Sequence, residues 1–348
     1  MKEQIKRKRL FALIISILIA ASAVVCIAAF PSEDLGRLRP VNGVLDLQNW
    51  ELDKSGVLSL KGGWGFYWKR FLTPKELTSG GPAPDIIADV PSAWNSYKIN
   101  GENLPGFGYG TYVLKIVNAR KGVPLSLRVP TFSASYELYI DDHLVSSGGR
   151  AGRSREEYRP EYKPQVVEYM PDKTGFIVTV HVSNFANVYA GGMWHAVQLG
   201  TPKQIRHMDS IILYRDLILF GAISFMALYY ISFFLLRQED RSSLYFALMC
   251  VMITGRILIY GNFLMGSLFP FVGFRWISSI DYISLCCFPV FVLLVIGKLF
   301  PEDTSGIVLK MVSFYAGGMS LLFIAAPVHF YSASIYIVEI IALLTGFY

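Results

Sequence analysis

The sequence predicts an all-β extracellular jelly-roll sandwich, preceded by an N-terminal membrane anchor helix and followed by an incomplete all-α transmembrane helix bundle. Three observations carry this expectation. Leu10 to Phe30 is a run of 21 residues without a charge. Residues 31–205 combine apolar positions at period two with an ordinary soluble charge balance, 19 Lys+Arg against 17 Asp+Glu. From Asp209 to Tyr348 long apolar runs hold few charges. Across all 348 residues the apolar set reaches 53% and charged residues only 17%. A typical soluble domain carries about 25% charge, so an all-soluble chain is excluded.

At about 1.5 Å per residue, the run Leu10–Phe30 matches a hydrocarbon core of roughly 30 Å. The cluster Lys2, Lys6, Arg7, Lys8, Arg9 before it should stay cytoplasmic under the positive-inside rule. A signal peptide competes with an uncleaved anchor, because Ala21-Ser22-Ala23 could be a cleavage site. Either way residues 31–205 are exported, and the expected division is 1–30, 31–205 and 206–348. The formal charge of +6 comes from the basic tail and, by a smaller share, from the exported part. No basic stripe with interleaved aromatics marks a nucleic-acid partner. Cys26, Cys250, Cys286 and Cys287 all lie in apolar runs, so the exported part has no disulfide framework.

Within that part, Trp64, Phe66 and Trp68 alternate with Gly65 and Tyr67. The same rhythm places Tyr112, Leu114 and Ile116 on one face, and likewise Leu125, Leu127 and Val129. Tyr136, Leu138 and Ile140 repeat it, as do Phe176, Val178, Val180 and Val182. Period-two alternation marks strands with one buried face. Shorter runs at 57–60, 86–90, 165–170 and 196–200 are separated by Gly- and Pro-rich connections, which reads as a jelly roll. After it, spans are expected at 210–236, 243–265, 276–300, 307–327 and 331–348. The chain enters the first from outside, so Arg237 and Arg241 fall inside, as do Lys298 and Lys310. The last run ends on Phe347-Tyr348 without a basic flank, and the chain reads as the front part of a longer protein.

Val90-Pro91-Ser92-Ala93-Trp94-Asn95 and Tyr109-Gly110-Thr111-Tyr112 resemble the galactose-binding-like jelly roll found at the front of β-galactosidase-type glycoside hydrolases. Tyr136–Gly149, Val182-Ser183-Asn184-Phe185 and Gly191-Gly192-Met193-Trp194 continue the likeness. Joined to Arg237–Tyr245 and Thr254-Gly255-Arg256, they are similar to bacterial seven-transmembrane receptors with diverse intracellular signalling modules, the 7TMR-DISM type. The resemblance implies a receptor that senses an extracellular small molecule or glycan, carbohydrate or cell-wall material leading. It also implies relay to a cytoplasmic output in the full-length chain: a histidine kinase, a diguanylate or adenylate cyclase, or a phosphatase. Receptors of this kind often dimerise. Two departures stand out. The hairpin Ile140-Asp141-Asp142-His143 replaces the family's usual Asn-Gly, and the bundle is short of seven spans with no output module following. The alternatives are a membrane-anchored carbohydrate-binding module without output, and a transporter-like protein, although no internal repeat supports the latter.

The candidate ligand-binding residues are Trp94, Tyr109, Arg150 and Trp194. The aromatics could stack on a sugar ring, but core filling at a sandwich end is the commoner use. Trp94, beside Asn95 in an expected loop, is the strongest of them. Arg150, with Arg153 and Arg155, could hold a carboxylate or phosphate, or simply be solvated beside Glu156 and Glu157. Asp141 and Asp142 are adjacent on a turn and cannot flank a glycosidic bond as hydrolysis requires. No nucleophile elbow, P-loop or metal-type spacing occurs, so no catalytic residue, metal or cofactor is expected. His181 is expected to be half-exposed. In the bundle, Arg256 and Asp281 are expected to pair, since a charge in hydrocarbon needs a partner. Glu339 has no obvious partner, and Arg215-Asp216 should reach water at the outer interface. Residues 200–209 read as a short link stiffened only by Pro202.

Overall fold

A computed structural model describes residues 38–51, 56–78, 80–302 and 304–347; the expected anchor lies outside the described residues. The alternation becomes two facing antiparallel sheets. The longest strands, β7 (Gly108–Val117) and β12 (Gly175–Asn184), pair along their whole length from Gly108↔Asn184 to Val117↔Gly175. Beside β12 run β9 (Ser135–Ile140) and β10 (His143–Gly148); beside β7 run β3 (Gly62–Trp68) and β4 (Ile86–Val90). The short β1 (Val44–Asp46) joins β7 in parallel. The facing sheet has the order β11 (Gln165–Tyr169), β8 (Leu125–Val129), β13 (Gln198–Gly200), β2 (Leu58–Ser59). A small two-stranded hairpin, β5 (Lys98–Ile99) and β6 (Glu102–Asn103), lies apart. The only helix of the sandwich among the described residues is α1 (Pro74–Thr78), plus one 3-10 turn at Trp94–Ser96.

Tyr112, Leu114, Ile116, Val178, Val180 and Val182 are each 0% exposed and meet Leu125, Leu127 and Val129 across the core. The outer face of the larger sheet is covered as well. His181 is buried, its Nε2 lies 2.9 Å from the Leu72 carbonyl, and Phe71 stacks on it at 4.7 Å. The expected half-exposure is therefore wrong: the 71–72 segment folds back over the sheet. Burial holds the His181 pKa below its ordinary value. At the β9–β10 hairpin Asp141 alone is left-handed, at φ 48°. Its Oδ1 accepts from Ile177 N at 2.9 Å, so a tertiary contact supports a conformation that glycine would adopt freely.

Among the described residues five helices are long and apolar enough to cross a membrane. They are α2 (Pro202–Leu236), α3 (Arg241–Ile259), α5 (Phe274–Leu299), α6 (Gly306–Ala325) and the stretch Val328–Thr345. That stretch comprises α7 (Val328–Tyr331), a 3-10 turn and α8 (Ile335–Phe347). The expected span 243–265 ends earlier, at Ile259, and the short α4 (Leu264–Leu268) follows. The expected link at 200–209 is helix. Thr201 Oγ1 accepts from Gln204 N while Gln204 Oε1 accepts from Thr201 N, and Pro202 takes the first helical position. This capping box starts α2 directly after β13. At about 1.5 Å per residue, α2 is one rod of roughly 52 Å leading away from the sheet.

Candidate functional site at the sandwich–helix junction

The sandwich sits on the ends of the helices. An apolar cluster crosses the boundary, joining Ala134, Tyr158 and Ala186 of the sandwich to Tyr282, Phe323 and Tyr331 of the helices. The last three rings meet edge to face at 5.0–5.3 Å and draw α5, α6 and α7 together. On the other side, β8 turns Arg128 toward α2. Its guanidinium reaches Asp209 Oδ1 at 2.9 Å, Asn262 Oδ1 at 2.7 Å and Gln198 Oε1 at 3.4 Å, with the side chain 8% exposed. Three acceptors satisfy a cation that burial would otherwise penalise.

Asn262 is itself held from below. Its N–H donates to Asp216 Oδ2 at 3.0 Å, and Arg215 Nη2 donates to Asp216 Oδ1 at 2.9 Å. Asp216 is only 4% exposed, which corrects the expectation that it reaches water. Gly261 makes this close approach available. At φ 71°, a Cβ there would stand 2.2 Å from Asp216 Oδ2. Arg128, Asn262 and Asp216 were not legible as a set, because Arg128 and Asn262 lie 134 positions apart. The one available signal was Arg128 itself, a cation on an otherwise apolar or small-residue strand.

Arg256 and Asp281 meet inside the helical region. Arg256 Nη1 donates to Asp281 Oδ1 at 2.7 Å, and Tyr260 Oη donates to Oδ2 at 2.9 Å. The guanidinium also lies 5.0 Å from the Tyr260 ring centroid. The Asp281 side chain is 14% exposed and that of Arg256 30%. Breaking a pair this well enclosed strands a carboxylate in apolar surroundings, although the partial exposure softens the penalty. Arg256→Met should lower stability by about 2 kcal/mol. The double variant Arg256→Met/Asp281→Leu should recover more than half of that loss in thermal denaturation. Simple additivity of the two single changes would mean that the pair is not coupled.

A cavity of about 220 Å³ opens between the two parts, walled by Tyr162 and Trp194 from the sandwich and by Tyr260, Asp281, Tyr282 and Glu339 from the helices. The loop after β12 closes its rim. Val188 N donates to Ser332 Oγ at 3.3 Å, and Tyr189 packs on Tyr336 at 4.7 Å. Asn187 Nδ2 donates to Tyr162 Oη at 3.2 Å, and burial pushes that phenol up to about 12. A second cavity of about 290 Å³ lies beside Arg128, with Lys61 and His195 on its wall. Burial, aided by Arg128, lowers the His195 pKa.

The four residues proposed from sequence do not form one site. Trp94 is 0% exposed. Its Nε1 donates to the Gly106 carbonyl at 3.0 Å and Trp68 packs edge-on at 5.2 Å, so the ring has no face open to a sugar. Tyr109 is half-buried against Phe71 at 4.9 Å. Arg150 is exposed, its backbone bridged to Arg159. Trp194 is half-buried on the wall of the junction cavity, 6.3 Å from Tyr162 between ring centroids. Among the described residues no three His, Cys, Asp or Glu side chains are grouped to hold a metal ion.

Residues 213–348 match the family model described as 7TM diverse intracellular signalling. No curated protein matches the chain. Similar solved structures include a GH2 β-galacturonidase from Eisenbergiella tayi bound to galacturonate, at 17% identity over 42% of this chain and 24% of that one, with a TM-score of 0.28. A Ruminococcus gnavus β-glucuronidase shows 16% identity over 41% of this chain and 27% of its own, with a TM-score of 0.30. The chain thus spans about a quarter of the length of each of these enzymes. With five apolar helices among the described residues, the chain is a multi-pass membrane protein whose helical region is similar to the 7TM diverse intracellular signalling family.

Proposed function

We propose that this chain is the sensing and membrane part of a bacterial receptor. Residues 31–205 form its extracellular sensor, the N-terminus lies in the cytoplasm, and the helices pass ligand state to a cytoplasmic output carried elsewhere in the full-length protein. The packed junction carries the reading. The sandwich is joined to the helices by the capped start of α2, by Arg128 and by a shared apolar cluster. A tethered binding module needs none of these ties. A ligand can bias such an assembly only by binding its two states unequally, and a cavity walled by both parts has a shape that depends on how they sit together.

The test uses the full chain in lipid nanodiscs with simple sugars, organic acids and cell-wall fragments, read by hydrogen exchange. A compound that changes protection in the sandwich is expected to change it also in residues 202–215 and 260–273. Protection confined to the sandwich would sink the relay and leave a membrane-anchored carbohydrate-binding module.

A further inference from the structure

The junction cavity is unbalanced in charge. Asp281 is answered by Arg256 and Tyr260. Glu339, an exposed residue about one turn into α8, lines the same cavity. Among the described residues no ion pair engages its carboxylate; the pairs formed within the helices are Arg256–Asp281 and Arg215–Asp216. An acidic group in a membrane-spanning helix calls for a positive partner. The remaining walls are rich in phenol and indole rings, from Tyr162, Trp194, Tyr260 and Tyr282. Such rings attract cations through their electron-rich faces, most strongly where water is scarce.

The kind of cation follows from the walls. A hard metal ion takes six or more oxygens, whereas the cavity offers one uncommitted carboxylate. An alkylammonium needs one counter-charge and apolar or aromatic contact around its carbons. At about 220 Å³, the space falls below the roughly 300–1,000 Å³ typical of drug-sized sites. That suits a few heavy atoms and not an oligosaccharide.

We propose that the junction cavity binds a small organic ammonium group, with Glu339 as its counter-charge and the rings of Tyr162, Trp194, Tyr260 and Tyr282 around its alkyl carbons. This names a ligand class for the junction and rests on the receptor reading of that junction. The group could come from a free amine or from a lipid headgroup at the outer interface.

Radiolabelled choline binding to the full chain in phosphatidylglycerol nanodiscs tests the proposal. Saturable binding is expected, with the neutral carbon isostere 3,3-dimethylbutan-1-ol competing at least tenfold more weakly than unlabelled choline. Glu339→Gln should weaken choline binding at least tenfold. Equal competition by the isostere, unchanged binding in the Glu339→Gln variant, or no saturable binding would each overturn the assignment. The comparison with the isostere needs no variant, so a folding defect cannot decide it. Repeating the measurement in phosphatidylcholine nanodiscs separates the two sources. Choline binding abolished there assigns a headgroup as occupant, and binding retained assigns a free amine. Failure with choline leaves the hydrogen-exchange test standing, because coupling between sandwich and helices is read there without reference to ligand charge.

Discussion

Trp94→Ala is expected to destabilise the sandwich by about 4 kcal/mol, the range for removing a large buried aromatic. The residue is the pin of a lock at one end of the sheets. Its backbone N–H donates to the Gly191 carbonyl at 2.8 Å, and its indole shares the Gly106 carbonyl with Asn184 Nδ2. Gly191 has no room for a side chain, since a Cβ there would meet the indole at 2.2 Å. Asn95 Nδ2 donates to the Val188 carbonyl at 2.9 Å, tying the lock to the loop that touches the helices. Chemical denaturation of the chain in nanodiscs, followed by tryptophan emission, would measure the loss. A change below about 1 kcal/mol would mean that the ring is not the packing element described here. Trp94, Asn95, Asn184 and Gly191 therefore meet as a folding lock.

Arg128→Ala should loosen the sandwich from the helices and cost about 3 kcal/mol, the scale for losing charge-assisted hydrogen bonds at a buried site. The figure is held below that of a fully enclosed pair because the Asp209 side chain is 36% exposed and can turn to water. Asp209→Asn should cost less, since the amide keeps an oxygen that accepts from the guanidinium. Pulsed spin-label distances between Lys173 and Glu239, both exposed, should broaden in the alanine variant. An unchanged distribution with unchanged stability would show that the apolar cluster around Tyr282 and Phe323 holds the junction by itself.

Much of the architecture was legible in local pattern. Alternation at Tyr112–Ile116 and Phe176–Val182 located β7 and β12 because each strand buries one face against a core, a constraint that repeats every second residue. Apolar length located the helices, since a bilayer demands a run of about 20 residues. The Arg256–Asp281 contact followed from depth alone, as two charges in neighbouring helices at a similar level have few other partners. Local pattern was silent where a side chain answers to a distant segment. Trp94 read as a loop aromatic because its acceptor, Gly106, and its cover, Gly191, come from elsewhere in the chain. His181 read as half-exposed because nothing in β12 announces that residues 71–72 cover it. The 200–209 stretch read as a link although its helix-capping residues, Thr201, Pro202 and Gln204, were all present.

By itself, then, the sequence determined that this protein is a β sandwich ahead of membrane-spanning helices, because periodicity and apolar length act within a single element. Only the tertiary structure decided that the two parts are packed into one junction, with Arg128 as its clasp and Glu339 on a shared cavity. Burial of a charge, and the partners that make it tolerable, are set by which surfaces meet in space.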